Sequence, residues 1–430
     1  MRAGAEQAVT PDERHGVLVR QLEPWIAADV QAKKLPALSI ALVDDQRIVW
    51  ARGFGFADAA GTVPATADTV YRVGSVSKLF TDLAVMQLVE QGRLDLDAPV
   101  SRVLPEFAPV NPFKIPITLR HLMSHRAGLV REPPVGHYFD PSQPSLLGVV
   151  QSLARTTLLA EPGTRTKYSN AGIAVVGAVV ERVTGKPFAR AIEDALLKPL
   201  GMTQSSFEPG PELAQKLAHG LMWTYDGQTI ATPTFLLGTG PAGNLVSSAN
   251  DLGRFISFLF AGGRGPSGVV VQPQTLRSMI EPSTAGESAG FGLGFAISKL
   301  DGERRIGHNG AVYGFATDVQ ALPDSRLGVV VITSADCANG IASHIATTAL
   351  RMMLAVRKGE PPVAPVISKP VSRERATALE GHYVSGARTI DIVDRDGKLL
   401  LNSFGGMTVE IRSAGDSLMI DDRLVSGPRL

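Results

Sequence analysis

The chain has 430 residues, more than one typical domain, and its 44% apolar and 19% charged residues make an ordinary globular composition. A formal net charge of +1 supplies no electrostatic drive towards nucleic acid or an anionic membrane. The lone cysteine, Cys337, excludes an intramolecular disulfide and Cys-based zinc sites, and no run of about 18 apolar residues predicts a transmembrane helix.

The opening stretch, Met1 to Gly16, is polar and lacks the apolar core of a signal peptide. The compartment stays open between cytoplasmic and, for a chain trimmed of a leader, periplasmic or secreted. Leu38 to Val43, then Arg47 to Phe56 with Ile48, Trp50 and Phe54 alternating, predict an antiparallel hairpin. Helical spacing follows over Lys78 to Gln91, Leu146 to Leu159, Ala171 to Val183, Phe188 to Leu197 and Ala249 to Phe260. Strands return over Phe291 to Ser298, Arg304 to His308, Ala316 to Leu322 and Leu327 to Ser334, and Ile341 to Val356 predicts a helix packed on them. Strands at both ends with helices between imply one mixed domain, residues 1–356, its sheet closed by its first and last segments. Residues 357–372, with four prolines between Arg357 and Val371, predict a linker. Residues 373–430 hold short strands at hairpin spacing and an Asp396-Gly397 turn, which predicts a small β-meander packed on the main domain or on a neighbouring subunit.

Three segments carry chemistry. In Tyr71-Arg-Val-Gly-Ser75-Val-Ser-Lys78, a serine at a helix start has a lysine on the same side one turn later. A lysine desolvated there loses preference for its charged form and can take the hydroxyl proton. Alone, the pattern is more often a capping serine and a solvated lysine. In Tyr168-Ser169-Asn170, before a second helix, a tyrosine beside a cation can have its phenol pKa lowered and serve as base or relay. An asparagine amide there can bind both the lysine and a substrate carbonyl. In Gly307-His308-Asn309-Gly310-Ala311, at a strand end, glycines let a substrate approach the backbone, and a free N–H can donate to an oxyanion.

Taken in this order, the three segments resemble the serine penicillin-recognising hydrolases: class C β-lactamases, DD-peptidases of the S12 type, D-aminopeptidases and family VIII carboxylesterases. The resemblance runs from about Leu35 to Leu354 and includes stretches with no catalytic duty, such as Leu94 to Val100, Ile117 to Leu129, Lys198 to Met202 and Gly243 to Leu252. It implies an α+β, β-lactamase/transpeptidase-like fold: an antiparallel sheet flanked by helices, an all-helical subdomain, and a small lipocalin-like C-terminal β-domain. It implies Ser75 as the acylated nucleophile, Lys78 as its activator and Tyr168 as base and later acid. Asn170 would orient Lys78 and substrate, and the Ser75 and Ala311 N–H groups would form the oxyanion hole. Which of Lys78 and Tyr168 takes the first proton stays open.

One departure matters. The family's β-lactamases carry Lys-Thr-Gly where this chain has His308-Asn309-Gly310, and a neutral histidine offers a substrate carboxylate far less than a lysine. The expectation is therefore a carboxylesterase acting on short acyl esters. The alternatives are a D-stereospecific amino- or carboxypeptidase, a weak β-lactamase, or a non-catalytic ligand sensor or scaffold on the same fold. No metal or cofactor is expected, and the partner is a small ester or amide, with no nucleic acid and no membrane span; a homo-oligomer stays open. Specificity falls to the loops Arg131 to Pro144 and Trp223 to Leu237, where Trp223, Tyr225 and Phe235 line a pocket or join the core.

Two patterns are decoys. Gly286-Glu-Ser288-Ala-Gly290 lacks the strand and helix of a nucleophile elbow. Gly238 to Gly243 fits a dinucleotide fingerprint but holds Pro241 and no surrounding βαβ unit. His121 and His125, four apart, lack the glutamate of a zinc motif and are read as packing or hydrogen-bonding residues.

Overall fold

The structure, a computed structural model, describes residues 9–224, 228–284, 286–386, 388–404 and 407–429. Its main helices are α1 (Glu13–Ala32), α2 (Ser77–Glu90), α3 (Leu146–Ser152), α4 (Asn170–Thr184), α5 (Phe188–Ile192), α6 (Ala249–Phe260) and α7 (Asn339–Arg357). A seven-stranded antiparallel sheet is built from β1 (Ala37–Asp44), β2 (Arg47–Gly55), β3 (Gly290–Phe291), β4 (Ala296–Leu300), β5 (Glu303–Val312), β6 (Phe315–Leu322) and β7 (Leu327–Thr333). The order β2-β1-β7-β6-β5-β4-β3 places the first hairpin beside the last strand, with Ile40 opposite Val331.

Both sheet faces are buried, and the period-2 alternation divides them. Leu38, Ile40, Leu42, Val329 and Val331 join the core under α1 and α7. Ala41, Val43, Val330 and Ile332 join the larger core containing α6 and α2. On that side α2 packs against α4, and α3 and α5 close around α4, forming a helical region on one flank of the sheet.

The sequence expectations miss α1. Its Leu18, Leu22, Trp25, Ile26 and Val30 are buried at helical spacing, and the Asp12 carboxylate caps it by accepting from the His15 N–H. Pro24 in its middle and a polar start disguise the pattern. The helix expected over Leu146 to Leu159 stops at Ser152; a 3-10 turn follows, and Thr157 then bridges Val110 as extended chain. The helix expected over Phe188 to Leu197 changes to π winding at Glu193.

The C-terminal region adds β8 (Lys369–Pro370), a short helix over Arg373–Leu379, then β9 (Gly381–Ser385), β10 (Arg388–Arg395), β11 (Lys398–Phe404), β12 (Met407–Ala414), β13 (Ser417–Asp421) and β14 (Ser426–Arg429). Strands β9 to β14 pair in sequence order, and β8 pairs with β12 inside the stretch expected to be plain linker. Leu399, Leu401, Val409, Ile411 and Ile420 form its own core. It is fastened to α1 by the buried Lys33, whose Nζ lies 2.7 Å from Asp29 and 2.6 Å from Asp421. No helix among the described residues is long and apolar enough to cross a membrane.

Candidate active site

Ser75 sits in a 3-10 turn, Gly74–Val76, that runs straight into α2. Gly74 has φ +53°, and a Cβ there would stand 2.8 Å from the Ala311 nitrogen and oxygen, so only glycine fits without displacing β5. The turn is locked by Ser77, whose hydroxyl donates to the Gly74 carbonyl (2.6 Å) and accepts from the Leu245 N–H (3.0 Å). Lys78 is completely buried. Its ammonium donates to Ser75 Oγ (3.0 Å) and to the Ala242 carbonyl (2.7 Å). Burial pulls the Lys78 pKa down to about 7; the Glu132 and Asp82 charges oppose that, and Arg131 adds to it.

Tyr168 precedes α4, whose N-cap is Ser169: its hydroxyl accepts from the Gly172 N–H (2.8 Å). The Tyr168 hydroxyl is hydrogen bonded to Ser75, and Lys78 Nζ lies 4.9 Å from its ring centre. Its pKa moves opposite to the sequence expectation. Burial pushes the phenol up and outweighs both the Ser75 hydrogen bond and the Arg131 charge. His125, at φ +58°, stacks on the Tyr168 ring at 4.3 Å and accepts from the Ser169 N–H (3.3 Å), which fixes the loop carrying both residues.

Asn170 is the second correction. It is buried, but its amide nitrogen donates to Glu132 Oε1 (2.5 Å), and among the described residues no hydrogen bond joins it to Lys78, the ammonium it was expected to orient. The backbone carbonyl of Ala242 holds the ammonium instead. That carbonyl lies in the short helical turn Gly240–Gly243, within the glycine-rich stretch that had only decoy value in the sequence.

Strand β5 forms the opposite lip. Gly310 allows it to close: a Cβ there would lie 2.0 Å from the Val73 carbonyl and 3.3 Å from the Ser75 nitrogen. The backbones of Ser75 and Ala311 therefore border one point. Asn339 Nδ2 donates to the Gly310 carbonyl (2.7 Å), and the Tyr138 hydroxyl donates to the Ala311 carbonyl (2.9 Å). His308 is buried, with Nδ1 2.5 Å from the Asn309 carbonyl. A carbonyl can only accept, so Nδ1 carries the hydrogen and the buried Nε2 is a bare, unpartnered lone pair. Burial, helped by the Lys78 charge, pulls His308 down to about 4, so it is neutral at pH 7.

A cleft of about 790 Å³ opens over Ser75, lined by Tyr168, His308, Ala311, Phe291 and Arg131 among others. Its aromatic walls are Tyr138, Phe139, Phe291 and Tyr313; Trp223 and Phe235 do not line it, and Tyr225 lies outside the described residues. Phe235 instead packs against Tyr313, with ring centres 6.0 Å apart. Sequence reasoning missed His125, Glu132, Tyr138 and Ala242 as parts of this constellation. His125 lies within the Ile117 to Leu129 stretch, and Glu132 and Tyr138 lie within the Arg131 to Pro144 loop, so each had a regional signal but no assigned contact; Ala242 had none. Ser288 is exposed and is not among the residues lining the cleft, and His121 is used in capping the helix over Leu119–Met123.

Residues 22–348 match the model of the family described as Beta-lactamase. The chain belongs to the beta-lactamase family. Its fold is the β-lactamase/transpeptidase-like one, with a separate C-terminal sheet domain, and the family's members are serine hydrolases. Protein flp of Staphylococcus aureus (strain MRSA252) is 25% identical over 322 residues, covering 73% of this chain; the chain spans only 62% of that relative's length. The octameric penicillin-binding protein homologue from Pyrococcus abyssi aligns over 94% of this chain and 93% of its own, with 27% identity and a TM-score of 0.70. EstCE1, a hydrolase with promiscuous acyltransferase activity, aligns over 78% of this chain and 98% of its own, with a TM-score of 0.65; at 24% identity it shows the fold alone.

Proposed function

We propose that this beta-lactamase family member hydrolyses small carboxylic esters through an acyl-enzyme on Ser75. One observation carries the reading: Lys78 is buried and hydrogen bonded to Ser75 Oγ at 3.0 Å, and that burial draws its pKa down to about 7. Such an amine can take the Ser75 proton as Oγ adds to the substrate carbonyl. The first proton acceptor is Lys78 rather than Tyr168, because burial keeps the phenol protonated at neutral pH. The carbonyl oxygen, as it gains charge, lies against the Ser75 and Ala311 N–H groups. Tyr168 gives its proton to the departing alkoxide and is reprotonated by Lys78, which holds the proton taken from Ser75. Water then attacks the ester at Oγ, its proton passing to the same pair, and the acid leaves with Ser75 restored.

Ester preference is supported by what the lip holds. A neutral His308 with a bare Nε2 offers no charge and no hydrogen to the carboxylate of a β-lactam or a peptide C-terminus. Asn170 then serves to hold Glu132 beside Lys78, where its carboxylate moderates the fall of the lysine pKa. Steady-state assays with p-nitrophenyl acetate and butyrate, a penicillin and D-alanyl peptides test the reading. The esters should turn over best, and Ser75→Ala should abolish turnover. Faster penicillin or D-peptide cleavage than ester cleavage would overturn the substrate assignment.

A further inference from the structure

The far wall of the cleft is a set of acceptors and aromatic faces. Asp336, just after β7, lines the cleft beside Tyr313. Its Oδ1 accepts from the Gly314 N–H (3.3 Å), which points the carboxylate at the β5–β6 turn, its Oδ2 accepts from the Cys337 thiol (3.6 Å), and among the described residues no lysine, arginine or histidine pairs with it. The Tyr138 and Tyr313 rings meet edge to face at 5.6 Å. Both hydroxyl hydrogens are committed, Tyr138 to the Ala311 carbonyl and Tyr313 to the Tyr138 carbonyl. Their oxygens can therefore only accept from a ligand. The amide nitrogen of Asn339 is likewise committed, to the Gly310 carbonyl. His308 adds the buried, unpartnered Nε2 lone pair. The other charge lining the cleft, Arg131, lies over the Tyr168 ring at 5.0 Å and 3.5 Å from Glu132, which answers it. The buried Arg72 guanidinium, whose charge reaches Tyr138 and Tyr313, is engaged by the Pro233 (3.2 Å) and Phe235 (3.3 Å) carbonyls.

A carboxylate facing this wall would meet a like charge and bare lone pairs. An ammonium would meet a carboxylate, acceptor oxygens and two aromatic faces. We propose that the cleft is a binding site for a positively charged amine, with the Asp336 carboxylate as its counter-ion and Tyr138 and Tyr313 as its walls. The inference rests on the cleft being the substrate site and adds that the favoured substrate carries an ammonium group. The exposed Phe139 at the mouth supplies apolar surface for the remainder of such a molecule. Asp336 is thus a specificity-determining residue, and it stands where no lysine of the Lys-Thr-Gly kind needs to be answered.

Calorimetric titration of the full chain carrying Ser75→Ala, at low salt, with 3-phenylpropylammonium, 3-phenylpropanol and 3-phenylpropionate tests this. The three probes have nearly one shape and differ in charge. The ammonium should bind about tenfold or more tightly than the alcohol, and the carboxylate more weakly than either. Asp336→Asn, with Ser75→Ala, should bring the ammonium to within about twofold of the alcohol. An alcohol or carboxylate that binds as tightly as the ammonium overturns the proposal, as does a preference unchanged by Asp336→Asn or no detectable ammonium binding. Should Asp336→Asn fail to fold, the order of the three probes on the parent decides alone. Because the readout is binding, an intact chain that selects the ammonium yet hydrolyses no ester would sink the hydrolase reading and leave this one standing.

Discussion

At the scale of single residues, the proposed acylation turns on the protonation of Lys78. Its proton-accepting form is the neutral amine, and its pKa is drawn down to about 7 by burial. The acylation rate, read as kcat/KM for a neutral ester, should therefore climb as pH rises through about 7 and level above it. A profile flat from pH 6 to about 8 would contradict the assignment of Lys78 as base. Lys78→Arg, permanently charged, should lower kcat/KM by about 10²- to 10⁴-fold while leaving the chain folded by circular dichroism. That Ser75, Lys78, Tyr168 and His308 meet in one cleft was legible in the sequence, because their residue types and spacing point to proton transfer. The Ala242 carbonyl was not, since any residue offers one and only the fold aims it. The direction of the Tyr168 pKa was misread for a related reason: proximity to a cation is visible in a motif, whereas burial is a property of everything packed around the ring.

Elements position those residues through close backbone approaches. β5 can lie against the Ser75 turn only because Gly74 and Gly310 lack side chains, with a Cβ at Gly310 falling 2.0 Å from the Val73 carbonyl. Gly310→Ala should push the two lips apart and misplace the Ser75 and Ala311 N–H groups. Loss of one oxyanion donor costs about 10²–10³ in kcat, and a fall of that order with KM little changed is expected in p-nitrophenyl butyrate assays. A variant with parental kcat would mean that the lip does not donate to the reacting carbonyl. The strands of the main sheet were readable as alternating or continuous apolar runs, and the structure pairs them as one antiparallel sheet. Helix α1 escaped because Pro24 interrupts a pattern that Leu18, Leu22, Ile26 and Val30 otherwise make plain. The early end of α3 had no local signal; the pairing of Thr157 with Val110, far away in sequence, draws the chain out of the helix.

At the scale of the whole molecule, the C-terminal sheet meets the main domain through α1 and the start of α7. Gly340 lies so close to the Leu424 carbonyl that a Cβ would come within 2.5 Å of it, and the Arg423 guanidinium lies 4.6 Å from the Trp223 ring centre. The buried Lys33 between Asp29 and Asp421 is the ionic centre of this contact. Lys33→Met removes the cation and leaves the buried Asp29 without an ion pair, while Asp421 keeps Arg412 at 3.9 Å and the Ser426 hydroxyl at 2.7 Å; breaking a buried pair costs about 3–5 kcal/mol in comparable sites. Denaturant unfolding should then show an earlier transition, and proteases should cut sooner in the proline-rich stretch 360–368. Unchanged unfolding and unchanged cleavage would show that the domain is held by its apolar contacts alone. This contact was invisible in the sequence, because Lys33 and Asp421 are remote from one another and neither belongs to a motif.

The most direct test of the central claim is intact-protein and peptide mass spectrometry after brief mixing with p-nitrophenyl butyrate and acid quenching. The account predicts a butyryl mass increment on one peptide, with fragmentation placing it on Ser75, and no increment in Ser75→Ala. Turnover without any adduct, or an adduct that persists in Ser75→Ala, would contradict it.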